Sequence, residues 1–380
     1  MDPHPESPVV LQVLPSLVTG GVERGTVEIT QAIAAAGATA LVASAGGPLV
    51  AQIQRAGGTH IALPLKTKNP WRIWHNADAL AAVIRDRKVS LVHARSRGPA
   101  WSAWLACRRT GVPFITTYHG TYDESLPFKR HYNAVMARGR IVIAASHYIA
   151  ELVQTRYGVD PARIRVIPRG VDLAVFDPAS VTGQRIAKLA AQWRVPDDAR
   201  IIVLPGRLTA WKGHRVLLDA LAILNRPDVM CVFLGSDQGR HRYSQSLTQH
   251  ARQLGIAERL RLVGHTDDVP AALCLADVVV HASTKPEAFG RVVIEAQAMA
   301  CPVVAADLGG PVETVRHGET GWRVPPGDPA TLAAALRVAL DLSPEERTAL
   351  GQQARASVPT VQAMQEATLD VYESVLNGTV

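Results

Sequence analysis

Short apolar runs, each followed by a stretch of helical composition, recur along most of the chain and limit what it can fold into. In the first half they are Val9–Leu14, Ala40–Ala43, Ile61–Leu65, Val89–His93, Pro113–Tyr118 and Arg140–Ala145. In the second they are Ile201–Leu204, Val229–Leu234, Leu260–Val263, Asp277–His281 and Pro302–Ala306. Runs of this length suit strands rather than helices, and their alternation with helical stretches predicts parallel sheets covered by helices on both faces. A chain of 380 residues with 47% hydrophobic content can bury two such cores.

The polar residues collect in loops just beyond these runs, where open parallel sheets place their ligands. Pro286–Gly290 leads into a helix predicted from Arg291 to Ala300. Unpaired N–H groups and the dipole at such a helix start favour an anion, and Gly290 allows close approach to the backbone. Glu287 lies in that loop and Glu295 eight residues on, one turn inside the helix; a carboxylate accepts paired hydrogen bonds from the vicinal hydroxyls of a sugar or ribose. The loop after Ile201–Leu204 carries Arg207 and Lys212, two cations suited to a diphosphate. Thr19-Gly20-Gly21 forms a tight loop between the first strand and a helix over Val22–Ala36, and His119 follows the strand ending at Tyr118. Structural readings stay open for each: a dipole partner for Glu287, a solvated face for Glu295, a solvated basic loop for Arg207 and Lys212, and a plain turn for Gly20-Gly21. Asp267-Asp268 precedes Val269-Pro270 and reads as a helix cap, and His281, inside a strand, as a packed residue.

Taken together, Glu287 and Glu295 with their intervening Ala-Phe-Gly, the Glu-Ala-Gln-Ala-Met-Ala run, Gly-Gly-Pro-Val-Glu-Thr-Val and His-Gly-Glu-Thr-Gly resemble the donor site of family-4 retaining glycosyltransferases. The resemblance implies an α/β protein of GT-B fold, two Rossmann-like doubly wound parallel-sheet domains facing across a cleft. It implies an N-terminal acceptor-side domain at 1–180, a donor domain at 181–358, and a terminal helix, 359–380, that crosses back to the first domain. Arg207 and Lys212 would hold the donor diphosphate with the N–H groups of Phe289, Gly290 and Arg291, and Glu295 would take the ribose. Glu287 and His119 would act at the sugar, and Gly20 and Gly21 would lie beside the diphosphate. Pro168-Arg169-Gly170-Val171-Asp172 resembles the family's interdomain crossing, with Arg169 where the family often has asparagine; that departure puts no catalytic role in doubt. The implied reaction moves a sugar from a UDP- or GDP-type donor to an acceptor hydroxyl, with retention and without metal or cofactor. The implied acceptor is a lipid-linked or cell-envelope glycan, as in lipopolysaccharide or polysaccharide biosynthesis.

Composition narrows the alternatives. The glycines after the first strand do not form Gly-x-Gly-x-x-Gly, and no ribose-binding acid ends the second strand, which weighs against a dinucleotide-binding domain. No apolar run is long enough for a membrane span, and the acidic, proline-rich start does not resemble a signal peptide, so a cytoplasmic protein is expected. The four cysteines, Cys107, Cys231, Cys274 and Cys301, lack metal-ligand spacing and read as reduced core residues. Residues 1–180 carry 20 Lys+Arg against 12 Asp+Glu, net +8, and 181–380 carry 20 against 21, net −1. No nucleic-acid motif accompanies that excess; an anionic membrane or phosphorylated lipid fits better, with Trp71, Trp74 and Phe128 at the interface and the protein peripheral to the inner face of the plasma membrane. A solvated basic face is the plain alternative. A phosphorylase or nucleotide-sugar epimerase of the same architecture also stays open, as does a two-lobed sugar-binding protein, which would need a secretion signal.

Overall fold

A computed structural model of the chain describes residues 7–379, apart from 19, 123 and 125. Thr19, expected to open the glycine loop, and the start of the chain, Met1–Glu6, lie outside the described residues. The chain divides into two compact units, Met1–Arg169 with Val361–Val380, and Gly170–Thr360. The division falls at Arg169 rather than at residue 180 because residues 170–180 are tied to the second unit. The Val171 N–H donates to the Pro359 carbonyl, and Arg355 donates to the carbonyl of Phe176.

The first unit holds a seven-stranded sheet of β1 (Val9–Val13), β2 (Thr39–Ser44), β3 (Thr59–Ala62), β4 (Leu91–Ala94), β5 (Phe114–Tyr118), β6 (Val142–Ala144) and β7 (Ile164–Val166). Their order is β3-β2-β1-β4-β5-β6-β7, and every pairing is parallel. The strands read as continuous apolar runs because helices cover both faces: β4 and β5 are buried along their whole length. Met364, Val371, Tyr372 and Val375 of the helix Val361–Leu376 pack among Val10, Ile29, Leu91 and Ile115 in this unit's core.

The second unit repeats the plan with β8 (Arg200–Pro205), β9 (Val229–Leu234), β10 (Leu260–Gly264), β11 (Val278–His281), β12 (Val303–Ala306) and β13 (Trp322–Val324), in the order β10-β9-β8-β11-β12-β13, all parallel. The edge strand β13 leaves no signal in the sequence: three residues between Gly321 and Pro325 carry too little pattern, and its pairing to β12 supplies the order. Helix starts follow their caps. Asn69 accepts from the N–H groups of Trp71 and Arg72, and Asp268 accepts from Ala271 N–H while pairing with Arg185 at 2.6 Å. Cys107, Cys231 and Cys301 are buried and Cys274 half-buried; all four are free thiols.

Each sheet reverses its winding direction once, between β1 and β4 in the first unit and between β8 and β11 in the second. The loops just beyond the C-terminal ends of the strands at such a reversal point are where open α/β sheets bind ligands.

Candidate active site

In the second unit the loop after β8 carries Arg207 and Lys212, and the loop after β11 carries Glu287. Lys212 Nζ donates to Glu287 Oε1 at 2.6 Å, with both side chains mostly buried. His281 Nε2 donates to the same oxygen at 2.7 Å, and the Ser283 hydroxyl donates to it as well. All three contacts fall on Oε1, and Oε2 takes no hydrogen bond from any described residue. Burial alone would raise the pKa of this carboxyl, but the His281 bond and charge, together with the Lys212 ammonium, hold it far below the usual carboxylate range. The three donors thus favour the ionised form of Glu287.

Backbone contacts that only glycine permits lock these loops together. Gly213, with φ +75°, lies so close to the β11 loop that a Cβ would fall 1.8 Å from the Ala282 carbonyl oxygen. Next to it, Thr284 N–H donates to the Trp211 carbonyl at 2.8 Å. On the other side of Glu287, a Cβ on Gly309 would fall 2.5 Å from the Glu287 carbonyl oxygen, and one on Gly310 would fall 2.4 Å from Phe289 Cα. Gly310 N–H donates to that same Glu287 carbonyl at 2.9 Å. The Gly309-Gly310 loop is held in turn by Gln297, fully buried, whose amide donates to the carbonyls of Thr314 and Thr320.

Gly290, φ +85°, is the N-cap of the helix Arg291–Ala298 and makes no side-chain cap, while Phe289 is buried beside it. Arg291 pairs with Glu295 one turn on, at 3.5 Å. Arg207 is exposed, and its guanidinium has no partner among the described residues. The structure thus joins Lys212 to Glu287 and Arg291 to Glu295 as direct pairs. His281 and Ser283 complete the first pair; sequence reading had His281 only as a packed residue. It is packed, at the end of a strand buried along its whole length, and its Nε2 reaches the following loop.

The other expected residues belong to the first unit. Gly20 is the N-cap and Gly21 the first residue of the helix Gly21–Ala35, with no side-chain cap. His119 follows β5 and contacts the Arg169 guanidinium, its nearer ring nitrogen being Nδ1. A guanidinium can only donate, so Nδ1 carries the lone pair and the ring proton sits on Nε2. Burial first, then the charges of Arg169, Arg95 and the neighbouring His93, push the His119 pKa well below its ordinary value. Arg95, fully buried after β4, donates to Gln12 Oε1 at 3.0 Å. Gly25 makes room for both arginines: a Cβ there would sit 2.7 Å from Arg169 Nη1 and 3.1 Å from Arg95 Nη2. Arg169 thus touches His119 and adds its charge to the burial that lowers the His119 pKa.

Sequence profiles match both units. The one described as Glycosyltransferase Family 4 covers residues 19–175, and the one described as Glycosyl transferases group 1 covers 186–357. A crystal structure of a glycosyltransferase from Rickettsia africae matches with TM-score 0.89 and 35% identity, over 98% of this chain and 99% of that one. The chain belongs to the group 1 and family 4 glycosyltransferases. A relative from Jonesia denitrificans called D-inositol 3-phosphate glycosyltransferase is 34% identical over 269 residues, 66% of this chain. The match spans 63% of that relative, under two thirds of its length. The Anabaena protein HepE, solved with UDP, shares the GT-B fold with TM-score 0.84 at 24% identity, over 97% of this chain and 100% of that one. This chain is built of two Rossmann-like domains, each on a parallel sheet.

The Arg169 contact yields a pH prediction. The unfolded chain takes up a proton on His119 near pH 6.5 while the folded unit excludes it, so stability falls as the pH drops below about 6.5. Arg169→Asn raises the folded pKa of His119 and makes that loss shallower. Ring chemical shifts of His119 followed by NMR should show no titration near pH 6.5 in the wild-type protein and a titration displaced upward in the variant. A wild-type ring that titrates normally would contradict the contact.

Proposed function

We propose that this glycosyltransferase moves a sugar from a nucleotide-diphosphate sugar to an acceptor hydroxyl with retention at the anomeric carbon, the second unit taking the donor. The observation that carries this reading is the division of labour within one carboxylate: Glu287 Oε1 is pinned by Lys212, His281 and Ser283, and Oε2 is left for the vicinal hydroxyls of a sugar. Arg207 and Lys212 supply the cations for the diphosphate, and the N–H groups of Phe289, Gly290 and Arg291 at the helix start face the same charge. Glu295, one turn inside the helix, takes the ribose. Retention and the UDP- or GDP-type donor rest on the family; HepE was solved with UDP.

His119, neutral with its proton on Nε2, donates a hydrogen bond to the sugar rather than acting as an acid. Gly20 and Gly21, at the start of their helix, would take part in holding the diphosphate, as the family implies. No side chain is needed as general base, because the departing phosphate oxygen can take the acceptor's proton as the new bond forms.

On the acceptor side, a cavity of about 700 Å³ in the first unit is lined by Lys66, Lys68, Arg97 and Lys129, with no acidic residue among its walls. Such a lining suits an acceptor that carries phosphate. That chemistry is shared by D-inositol 3-phosphate, for which the Jonesia relative is named, and by the lipid-phosphate carriers of cell-envelope glycans.

Two measurements test the donor assignments. Glu295→Ala should raise the donor KM and weaken inhibition by the free nucleoside diphosphate, which binds alike in ground and transition states. Glu287→Ala should depress kcat by about 10²-fold while the free nucleotide still binds. Loss of nucleotide binding in Glu287→Ala alone would reverse the two roles. Because two cations and a helix start stand where a metal would otherwise neutralise the leaving group, and no cofactor is required, activity should survive chelation by EDTA; loss restored by Mn²⁺ or Mg²⁺ would overturn that expectation.

A further inference from the structure

The exposed apolar side chains of this protein are unevenly placed. Among the described residues every exposed tryptophan and phenylalanine lies in one region of the first unit: Trp71 is 81% exposed, Phe128 67% and Trp74 55%, with Leu126 beside Phe128 at 45%. The other large apolar residues at the surface, such as Val18, Ile223 and Val338, are aliphatic and scattered. Single exposed apolar residues are ordinary, but three bare aromatics in one region cost solvation and call for something that covers them.

Their neighbours are cations. Phe128 and Lys129 line the same cavity as Lys66 and Lys68, so Phe128 stands at the wall of the basic pocket. Trp71 lies in the first turn of the helix Pro70–Asp86, which begins two residues after Lys68, and Trp74 follows at a spacing of three, on the same helix face. Arg72 lies between them, and the Arg109 guanidinium sits 5.3 Å from the Trp74 ring centroid. The aromatics are thus interleaved with Lys66, Lys68, Arg72, Arg109 and Lys129. The acid seen within this group, Asp78, is already paired with Arg109.

We propose that this face docks on an anionic lipid bilayer, with Trp71, Trp74 and Phe128 entering the interfacial region and the cavity behind Phe128 receiving a lipid phosphate. Charge complementarity selects the occupant. Tryptophan and phenylalanine with lysine and arginine around them match the layer where lipid headgroups meet acyl chains, and the net +8 of residues 1–180 draws the same side toward negative lipid. No helix among the described residues is long and apolar enough to cross a membrane, so the attachment is interfacial. Docking there would present the cavity to phosphate-bearing molecules held in the bilayer. It does not depend on the transfer reaction, and its test reads binding alone.

The test is co-sedimentation of the full chain with vesicles of phosphatidylcholine, alone or mixed with phosphatidylglycerol. Binding is expected to the mixed vesicles only, weakening as added salt shortens the screening length from about 8–10 Å. Trp71→Ala combined with Trp74→Ala and Phe128→Ala should lower the partition coefficient by roughly tenfold or more, and Lys66→Glu with Lys68→Glu should abolish binding. All these side chains are exposed, so the variants should keep the wild-type circular dichroism and melting temperature. Thermal stabilisation by inorganic phosphate, tested in parallel, separates a pocket that takes free phosphate from one that works only at a bilayer. Equal binding to both vesicle types, no binding to either, binding the substitutions leave unchanged, or stabilisation by free phosphate without vesicle binding would each overturn the proposal.

Discussion

The ion pair between Lys212 and Glu287 is the contact around which the second unit's site is arranged. Its members lie 75 residues apart in the chain and meet because β8 and β11 are neighbours at the point where the sheet reverses its winding. Two charges brought largely out of water cost more than a surface pair, and removing one partner of such a pair costs about 3–5 kcal/mol because the other stays buried and uncompensated. His281 and Ser283 offset part of that cost by giving the carboxylate two further donors. What the arrangement gains is position. A carboxylate with one oxygen held by three donors cannot rotate freely, and its second oxygen keeps a fixed direction for a ligand.

That geometry rests on backbone approaches as much as on charge. Gly213 against Ala282 sets the distance between the two loops, and Gly309 and Gly310 press on the segment Glu287–Phe289 from the other side. A methyl group at any of these positions would overlap backbone atoms and force the loops to move. The first unit uses its own reversal point differently. Arg95 and Arg169 occupy the space left by Gly25, and burial, with their charge added to it, keeps His119 neutral. One unit so presents an ion pair with a free carboxylate oxygen, the other a neutral imidazole with a fixed proton.

Much of this is legible in the sequence, for physical reasons that can be named. Strands buried on both faces announce themselves as unbroken apolar runs, which is why β1, β5, β9 and β11 stand out while three-residue β13 does not. Caps are local, so Asn69 and Asp268 could be read from their neighbours alone. The site residues Arg207, Lys212, Glu287 and Glu295 were accessible through their family context. Their partners were not, because the His281–Glu287 and Arg169–His119 contacts depend on side-chain direction and on strand order, and neither leaves a trace in composition. Arg95 gave no signal at all: a buried arginine after a strand looks like any surface cation until Gln12 and Gly25 are placed around it.

The most direct test is a double-mutant cycle between Lys212→Met and Glu287→Gln, read as the affinity for the free nucleoside diphosphate by titration calorimetry. Glu287→Gln alone should leave the nucleotide bound; if the pair organises the donor site, the loss caused by Lys212→Met should differ between the wild-type and Glu287→Gln backgrounds by about 1 kcal/mol or more. Additive losses, with each residue contributing as though the other were absent, would contradict it.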